Sequence, residues 1–427
     1  MTRVTRVTRA ASAAPPAVIV VGVGADGWSG LAPAARDALC EAQVLIGSER
    51  QLALLPQECA GERVSWPSPL RPAVPRLLAE HEGRRVCVLA SGDPMFYGIG
   101  RALAEVAEPE RLLVLPHPSS VSHACARLGW PLEDTEVVTL VGRPAQSLNA
   151  ALHEGRRVLV LSAGAATPAE VAELLRVRGF GPSRMRVLEQ LGSERERQVT
   201  GTAEEWAHPP GDPLNVIALE CRSTGEAPRL SLVPGLPDEA YEHDGQLTKR
   251  HVRAATLAAL APAPGETLWD VGGGAGSVAV EWMRAHRSCR AVSVERDLVR
   301  AERIGRNADA LGVPALRVVN GSAPEALAEL PTPDAVFIGG GLTSPGVLEG
   351  CWDALPDGGR LVANTVTLES EALLAEWHRL HGGELVRLAV AQAVPVGGFT
   401  GWRQAMPVTQ WSVTKRSVNK LPNGEAT

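Results

Sequence analysis

The stretch LWDVGGGAGS (268–277) restricts the fold more than any other part of the chain. An apolar run ends at Asp270 and Val271, glycines occupy 272, 273, 274 and 276, and a helical pattern begins near Ser277. Glycine is needed where a chain turns sharply from strand to helix and must also let a ligand approach its backbone. The helix start behind such a loop offers unpaired N–H groups and the positive end of a dipole. Glu295 closes the next apolar run, in the position where an acid accepts the hydrogen bonds of a ribose diol.

This unit belongs to a long alternation of short β-branched runs and Ala/Leu-rich helical stretches. The runs predict strands at 18–21, 44–46, 86–89, 112–115, 137–140, 158–161 and 216–219, then at 267–271, 291–294, 316–319, 335–338, 360–363 and 385–391. Fully apolar runs of this length between helices suit buried parallel strands, so both halves are expected to be α/β. Residues 223–243 concentrate Pro, Gly, Ser and acid without periodicity and are expected to be a linker. Within the first half, Pro116 and Pro118 interrupt the pattern and predict two lobes. The expected organisation is a tail at 1–16, a domain at 17–222, the linker, a second domain at 244–414 and a tail at 415–427. A length of 427 residues agrees with two or three domains.

Composition narrows the chemistry. The net charge is −6 and no long basic run occurs, which argues against a nucleic-acid partner. No apolar stretch approaches the roughly 18–20 residues that span a bilayer, and none follows the N-terminal arginines as a signal peptide requires, so a cytoplasmic protein is expected. The seven cysteines are scattered singly, which reads as reduced thiols and not as a disulfide or zinc framework. His378 and His381 are spaced like neighbours on one helix face but lack partners of ligand type, so no metal is expected. The lysines are Lys249, Lys415 and Lys420, and just Lys249 falls inside an apparent domain, which disfavours Schiff-base chemistry.

The glycine loop also discriminates between nucleotides. A nicotinamide fingerprint wants GxGxxG, and here Ser277 takes the third place. The frame that fits runs Asp270, Gly272, Gly274, Gly276, the acid-plus-glycine loop of S-adenosylmethionine (SAM) methyltransferases. Six further segments, GQLTKRHVRAATLAAL (245–260), VERD (294–297), GSAPEAL (321–327), DAVFIGGG (334–341), GGRLVANTVTLES (358–370) and WRQAMPVTQW (402–411), together with the loop itself, resemble the C-15 methyltransferase/decarboxylases of corrin biosynthesis over nearly all of 244–414. The resemblance implies a Rossmann-like SAM-dependent domain whose cofactor contacts fall on Thr248, Gly272, Gly273, Gly274, Ala275, Gly276, Glu295, Ser322 and Ala323. The family usually has Asp where this chain has Ser322, which replaces a charged acceptor for the adenine amine by an uncharged one.

In the first half, VIVVGVGADG (18–27) is a literal GxGxxG, but no acid ends the second strand as a dinucleotide site would need. Its companion is VLASGDPMFYGIG (88–100), where Pro94 fixes the backbone and Gly92 admits tight packing. With IGSER (46–50), PSSVS (118–122), ARLG (126–129) and NVIALE (215–220), this half resembles the tetrapyrrole methylase family, in particular its C-5 methyltransferases. That implies a bilobed fold with SAM contacts among Gly92, Asp93, Pro94, Tyr97, Ser119 and Ser120. Ser119 and Ser120 read equally as a helix N-cap after Pro118.

Together the halves are similar to bifunctional corrin-pathway enzymes. The resemblance implies methylation of a precorrin at C-5 and C-15, loss of CO₂ from its C-12 acetate, one SAM per catalytic domain, and a homo-oligomer. Arg250, His251 and Arg403 are expected to hold substrate carboxylates, with Asn364 and Thr365, after a strand end, as positioning groups. Three other readings stay open on sequence: the same steps on a cobalt-containing macrocycle, an NAD-dependent oxidoreductase, and a SAM-binding protein without catalysis.

Overall fold

The computed structural model describes residues 18–225 and 229–416. The chain divides into two compact units. One holds the described residues up to Arg143 and Glu154–Thr224; the other holds Pro144–His153 and the described residues from Gly225 onward.

The first unit has two sheets. Strands β1 (Val18–Val23), β2 (Val44–Gly47), β3 (Glu62–Ser65), β4 (Val86–Ser91) and β5 (Leu112–Leu115) form a parallel sheet in the order β3-β2-β4-β1-β5. Its central strands are buried over most of their length, as the apolar runs predict. The break between sheets follows β5 at Pro116 and Pro118, where the sequence places it. Strands β6 (Glu136–Thr139), β7 (Arg157–Leu161), β8 (Arg184–Glu189), β9 (Arg197–Thr202) and β10 (Asn215–Glu220) make the second sheet, ordered β6-β7-β10-β8-β9. Here the parallel expectation fails: β6 and β7 are parallel, but β7, β10, β8 and β9 pair antiparallel. Strands β3, β8 and β9 escape sequence detection. Exposed polar residues interrupt β3 and β9, and Arg184 and Arg186 interrupt the apolar run of β8.

The second unit is built on one seven-stranded sheet of β11 (Thr267–Val271), β12 (Arg290–Glu295), β13 (Arg317–Asn320), β14 (Ala335–Ile338), β15 (Arg360–Thr365), β16 (Glu384–Leu388) and β19 (Val408–Thr414), in the order β13-β12-β11-β14-β15-β19-β16. A separate hairpin pairs β17 (Ala391–Val396) with β18 (Phe399–Gln404). The single strand expected at 385–391 is thus two, because the chain leaves the sheet after Leu388. From β13 to β15 the sheet is parallel and buried between helices; β19 closes it antiparallel against β15 and β16.

Two boundary expectations need correction. Residues 230–243 are not linker: Leu230, Leu236 and Tyr241 are buried in the core of the second unit. Nor does the tail begin at 415, since Lys415 Nζ donates to the carbonyls of Trp352 (2.7 Å) and Leu355 (2.8 Å) at the end of the helix Val347–Ala354. The expected tail at 1–16 lies outside the described residues, as do 417–427. The cysteines are not all apart either: Cys40 and Cys59 bring their Sγ atoms to 3.4 Å. His381 stacks on Trp377, with ring centroids 4.8 Å apart.

Arg253, which has no exposed surface, fixes the segment 230–243. Its Nε donates to Glu281 Oε1 at 2.6 Å, and its two Nη groups donate to the Thr248 carbonyl at 2.5 Å and to the Leu236 carbonyl. The Glu281 carboxylate also accepts from the backbone of Gly235 and Leu236 and from the Tyr241 hydroxyl. Removing one partner of such a pair leaves a buried charge without compensation. Glu281→Leu is therefore expected to destabilise the second unit by about 3–5 kcal/mol, read as a lower urea midpoint, whereas Arg253→Met combined with Glu281→Leu recovers much of the loss. An unchanged midpoint for the single variant would contradict this.

Candidate functional sites

In the second unit the glycine loop leaves β11 at the carboxyl edge of the parallel strands, where open α/β sheets take their ligands. Gly272 has φ +74°, and a Cβ there would lie 2.7 Å from the Gly340 backbone in the loop after β14. Position 272 therefore accepts glycine alone without displacing that loop. Gly276 is the N-cap of the helix Ser277–Ala285 and supplies no side-chain cap. Glu295, the last residue of β12, is buried; its carboxylate accepts from Gly274 N at 2.8 Å and Asp297 N at 3.0 Å. The acid thus braces the loop itself. Under the loop, Asp270 is buried with Oδ2 facing Ser293 Oγ at 3.2 Å and Oδ1 unpartnered.

A cavity of about 1040 Å³ opens beside this loop. Of the residues singled out in the sequence, Thr248, Arg250, His251, Gly272, Gly273, Gly274, Asn364 and Thr365 reach its wall. Ala275, Gly276 and Glu295 are not part of the wall, although Ser277 and Val278 are. Ser322 and Ala323 follow β13 outside the wall; Ser322 is exposed and its carbonyl accepts from Ala326 N at 2.8 Å. Arg403 stands apart from the expected carboxylate site. It is exposed on β18, across the hairpin from Gln392, and does not line the cavity. It lies within the matched segment 402–411, but the hairpin carries it off the main sheet. Thr256 and Gln410, buried beneath the wall and bonded to Asn364, have no signal in the sequence because their role depends on strand register.

In the first unit the Ser-Gly-Asp-Pro turn leaves β4. Gly92 has φ +59°, donates its N–H to the Val23 carbonyl at 2.9 Å, and would place a Cβ 3.2 Å from the Cα of Ser119. Asp93 Oδ1 accepts from Met95 N at 2.8 Å, which rigidifies the turn through Pro94. Tyr97 holds the rare φ of +56°, is exposed, and lies with its ring centroid 5.8 Å from the Arg143 guanidinium. Ser119 Oγ accepts from Ser122 N at 3.0 Å and caps the helix Ser120–Leu128, so the capping reading of Ser119 holds. Ser120 opens that helix beside Gly92. Two residues not singled out in the sequence join this cluster: His117 Nε2 lies 3.3 Å from Asp26 Oδ2, and the pair packs over Gly24.

These loops fit a SAM-sized zwitterionic ligand in the second unit. The cradle that a Cβ at Gly272 would fill, the uncapped helix start and the adjacent acid together supply donors for a carboxylate and acceptors for hydroxyl or ammonium groups.

The profile of tetrapyrrole (corrin/porphyrin) methylases matches residues 17–207, and that of the precorrin methyltransferase domain matches residues 239–415. A precorrin-6Y C(5,15)-methyltransferase [decarboxylating] from Sinorhizobium sp is 49% identical over 400 residues, covering 94% of this chain and 97% of that protein. One of the same name from Mycobacterium tuberculosis is 50% identical over 402 residues, covering 93% of this chain and all of that protein. The crystal structure of the C-terminal domain of precorrin-6Y C5,15-methyltransferase from Rhodobacter capsulatus is 52% identical, covers 44% of this chain and 100% of that chain, and has a TM-score of 0.42.

Burial pushes the Asp270 carboxyl up from its ordinary 3.8 to about 7, against the smaller opposing effect of the Ser293 hydroxyl. The folded state therefore binds this proton more tightly than the unfolded chain. Between pH 4 and 7, roughly, the stability it contributes falls as pH rises and then levels off. At about 1.4 kcal/mol per unit the effect is on the order of 4 kcal/mol. The difference in unfolding free energy between the parent and Asp270→Asn should follow that slope; a difference independent of pH would refute the assignment.

Proposed function

Because the chain belongs to the family of decarboxylating precorrin-6Y C(5,15)-methyltransferases, we propose that it methylates precorrin-6B at C-5 and C-15 and removes the C-12 acetate carboxyl to give precorrin-8. The enzyme is a methyltransferase of cobalamin biosynthesis acting on a tetrapyrrole. The first unit carries the C-5 methylation, and the second carries the C-15 methylation and the decarboxylation, each with its own SAM. The observation that carries this reading is the presence, in one chain, of two unlike glycine-turn sites, each within the reach of a different methylase profile.

Bound SAM supplies an electrophilic methyl group, and the reduced macrocycle supplies the carbon that takes it. No protein nucleophile is needed. The task of the residues is alignment, where fixing two reactants in line is worth roughly 7–11 kcal/mol. In the second unit the 272–276 loop and Glu295 hold the cofactor side. Arg250 and His251, exposed at the start of the helix Arg250–Leu260, face the cavity with cationic or hydrogen-bonding groups suited to the substrate's carboxylates. Thr365, at the end of β15, is an uncharged part of the wall. A carboxylate held against uncharged groups loses CO₂ more readily than one paired with a cation, since the electron pair passes into the conjugated ring. In the first unit Gly92, Asp93, Pro94, Tyr97 and Ser120 form the cofactor side. A homo-oligomeric assembly completes the proposal by analogy with the family.

The test uses the full chain. Gly272→Val drives a side chain into the Gly340 backbone and is expected to abolish the methyl gain coupled to CO₂ loss, while the other methylation persists on substrate already processed at C-15. Gly92→Val is expected to do the reverse. Mass spectrometry of the products reads both events. If each variant lost the opposite step, the assignment of chemistry to units would be wrong; if the parent bound SAM but methylated no precorrin, the catalytic reading would fall.

A further inference from the structure

Beneath the cavity wall of the second unit lies a polar trio that the reaction as described does not use. Asn364 on β15 and Gln410 on β19 are directly opposite each other in the antiparallel register. Thr256, on the helix Arg250–Leu260, completes the group and is fully buried; Gln410 is nearly so. Asn364 Nδ2 donates to Thr256 Oγ1 at 2.8 Å, Gln410 Nε2 donates to Asn364 Oδ1 at 2.9 Å, and Gln410 Nε2 also donates to Thr256 Oγ1 at 3.1 Å. Apolar side chains would pack these positions without the desolvation that three polar groups incur, and the strand neighbours Leu361, Val362, Ala363 and Trp411 are apolar and buried.

The network has a direction. Thr256 Oγ1 lies 2.9 Å from the Val252 carbonyl, which can only accept, so the hydroxyl proton is committed there. The Thr256 oxygen must then receive N–H groups, and the Asn364 amide turns its NH₂ toward it. That leaves the Asn364 oxygen toward Gln410, which has an N–H to give it. The orientation of Asn364 is set from behind, by groups that never reach the cavity. An amide NH₂ carries two donors, and one is spent on Thr256. The other belongs to a side chain that lines the cavity.

We infer that Gln410 is a positioning residue for the C-15 site: with Thr256 it locks the Asn364 amide so that an N–H, and not a carbonyl, is offered to a carboxylate of the tetrapyrrole. The inference rests on the proposed function of this unit and deepens it. The carboxylate so held is one that stays on the macrocycle, because a donor on the departing group would oppose loss of CO₂. Its hydrogen bond sets the register in which the meso carbon meets the methyl group.

The decisive variant is Gln410→Glu in the full chain. It keeps the size and shape of the side chain but replaces the donor by an acceptor, so Asn364 must turn its NH₂ toward position 410. A charge-assisted hydrogen bond lost in this way is worth about tenfold to a hundredfold. The expected result is a rise of about that size in KM for the precorrin or a matching fall in kcat/KM for the C-15 step. The dissociation constant of SAM, measured calorimetrically, and C-5 methylation of substrate already processed at C-15 should not move. Asn364→Ala should give a similar loss, and Asn364→Asp, which points a charge at the substrate carboxylate, a larger one. Thermal melting and the C-5 activity of the same chain report whether a variant has folded.

Unchanged C-15 parameters in Gln410→Glu beside a loss in Asn364→Ala would overturn the role of Gln410. Unchanged parameters in both would overturn the role of Asn364. A failure of the proposed function is distinguishable from either, because the parent chain itself would then give no C-15 product.

Discussion

Arg253 is a guanidinium wholly inside the second unit, and the position of most of its site follows from how that charge is satisfied. Its partners are Glu281 on the helix behind the glycine loop, Asp238 on the chain entering the domain, and the carbonyls of Leu236 and Thr248. Asp238 in turn accepts from Arg250 N at 3.0 Å and so caps the helix that presents Arg250 and His251. One buried cation thereby ties together the entering segment, the start of that helix and the helix Ser277–Ala285. Tyr241, whose hydroxyl burial keeps protonated, donates to the same carboxylate and closes the arrangement. A buried ion pair is poor value for stability alone, since apolar residues of the same volume often do as well. What it provides here is geometry: it fixes the backbone on one side of a cavity whose other side is the glycine loop.

The loop needs that fixed frame because it has no side chains of its own to hold it. Gly272 packs on Gly340, Gly276 packs on Ile304, and Glu295 bonds to Gly274 N. The first joins backbone to backbone across the ends of β11 and β14; the others bring a side chain of the helix Leu298–Ala310 and the carboxylate that ends β12 against the loop. A shift of any one strand end would move the loop. The apolar strand interiors, Trp269, Val292, Val336 and Ile338 among them, are the rigid base on which this placement rests.

Much of this is legible in the sequence, and the parts that are not share a cause. A strand buried on both faces, such as 335–338, announces itself by an uninterrupted apolar run and is observed with those bounds; 267–271 is also observed with its expected bounds, although Asp270 breaks its run. The glycine loop is legible because its residue types are forced by backbone geometry. Strands β8, β9, β18 and β19 are not, because edge or antiparallel strands mix polar and apolar residues in patterns that loops also use. Residues 230–243 were composed like a linker and yet lie in the core: Leu230, Leu236 and Tyr241 are too widely spaced to give a period, and their burial depends on Arg253 and Glu281 far along the chain. Arg403 fails for the complementary reason. Proximity in sequence to a matched motif says nothing about which way a hairpin turns its edge. Gln410 and Thr256 could not be found at all without knowing that β19 runs antiparallel beside β15.

Where cofactor and substrate bring the electrophile and the nucleophile, the protein need not supply a reactive side chain, although Lys249, His243 and His251 stand in the cavity wall. The groups nearest the end of β15 are an amide and a hydroxyl, neither of which is methylated readily, and the amide is further immobilised by Thr256 and Gln410. The net charge of −6 poses the opposite problem, because a macrocycle bearing many carboxylates gains nothing from the long-range field of this chain. On the proposed function, capture is short-range, through Arg250, His251 and oriented N–H donors, where contact geometry and not net charge decides the energy. Such a site discriminates by register, since a substrate turned by one pyrrole ring presents its carboxylates to the wrong donors. For a reaction that must choose one meso carbon among several chemically similar ones, that selectivity is the service the protein performs.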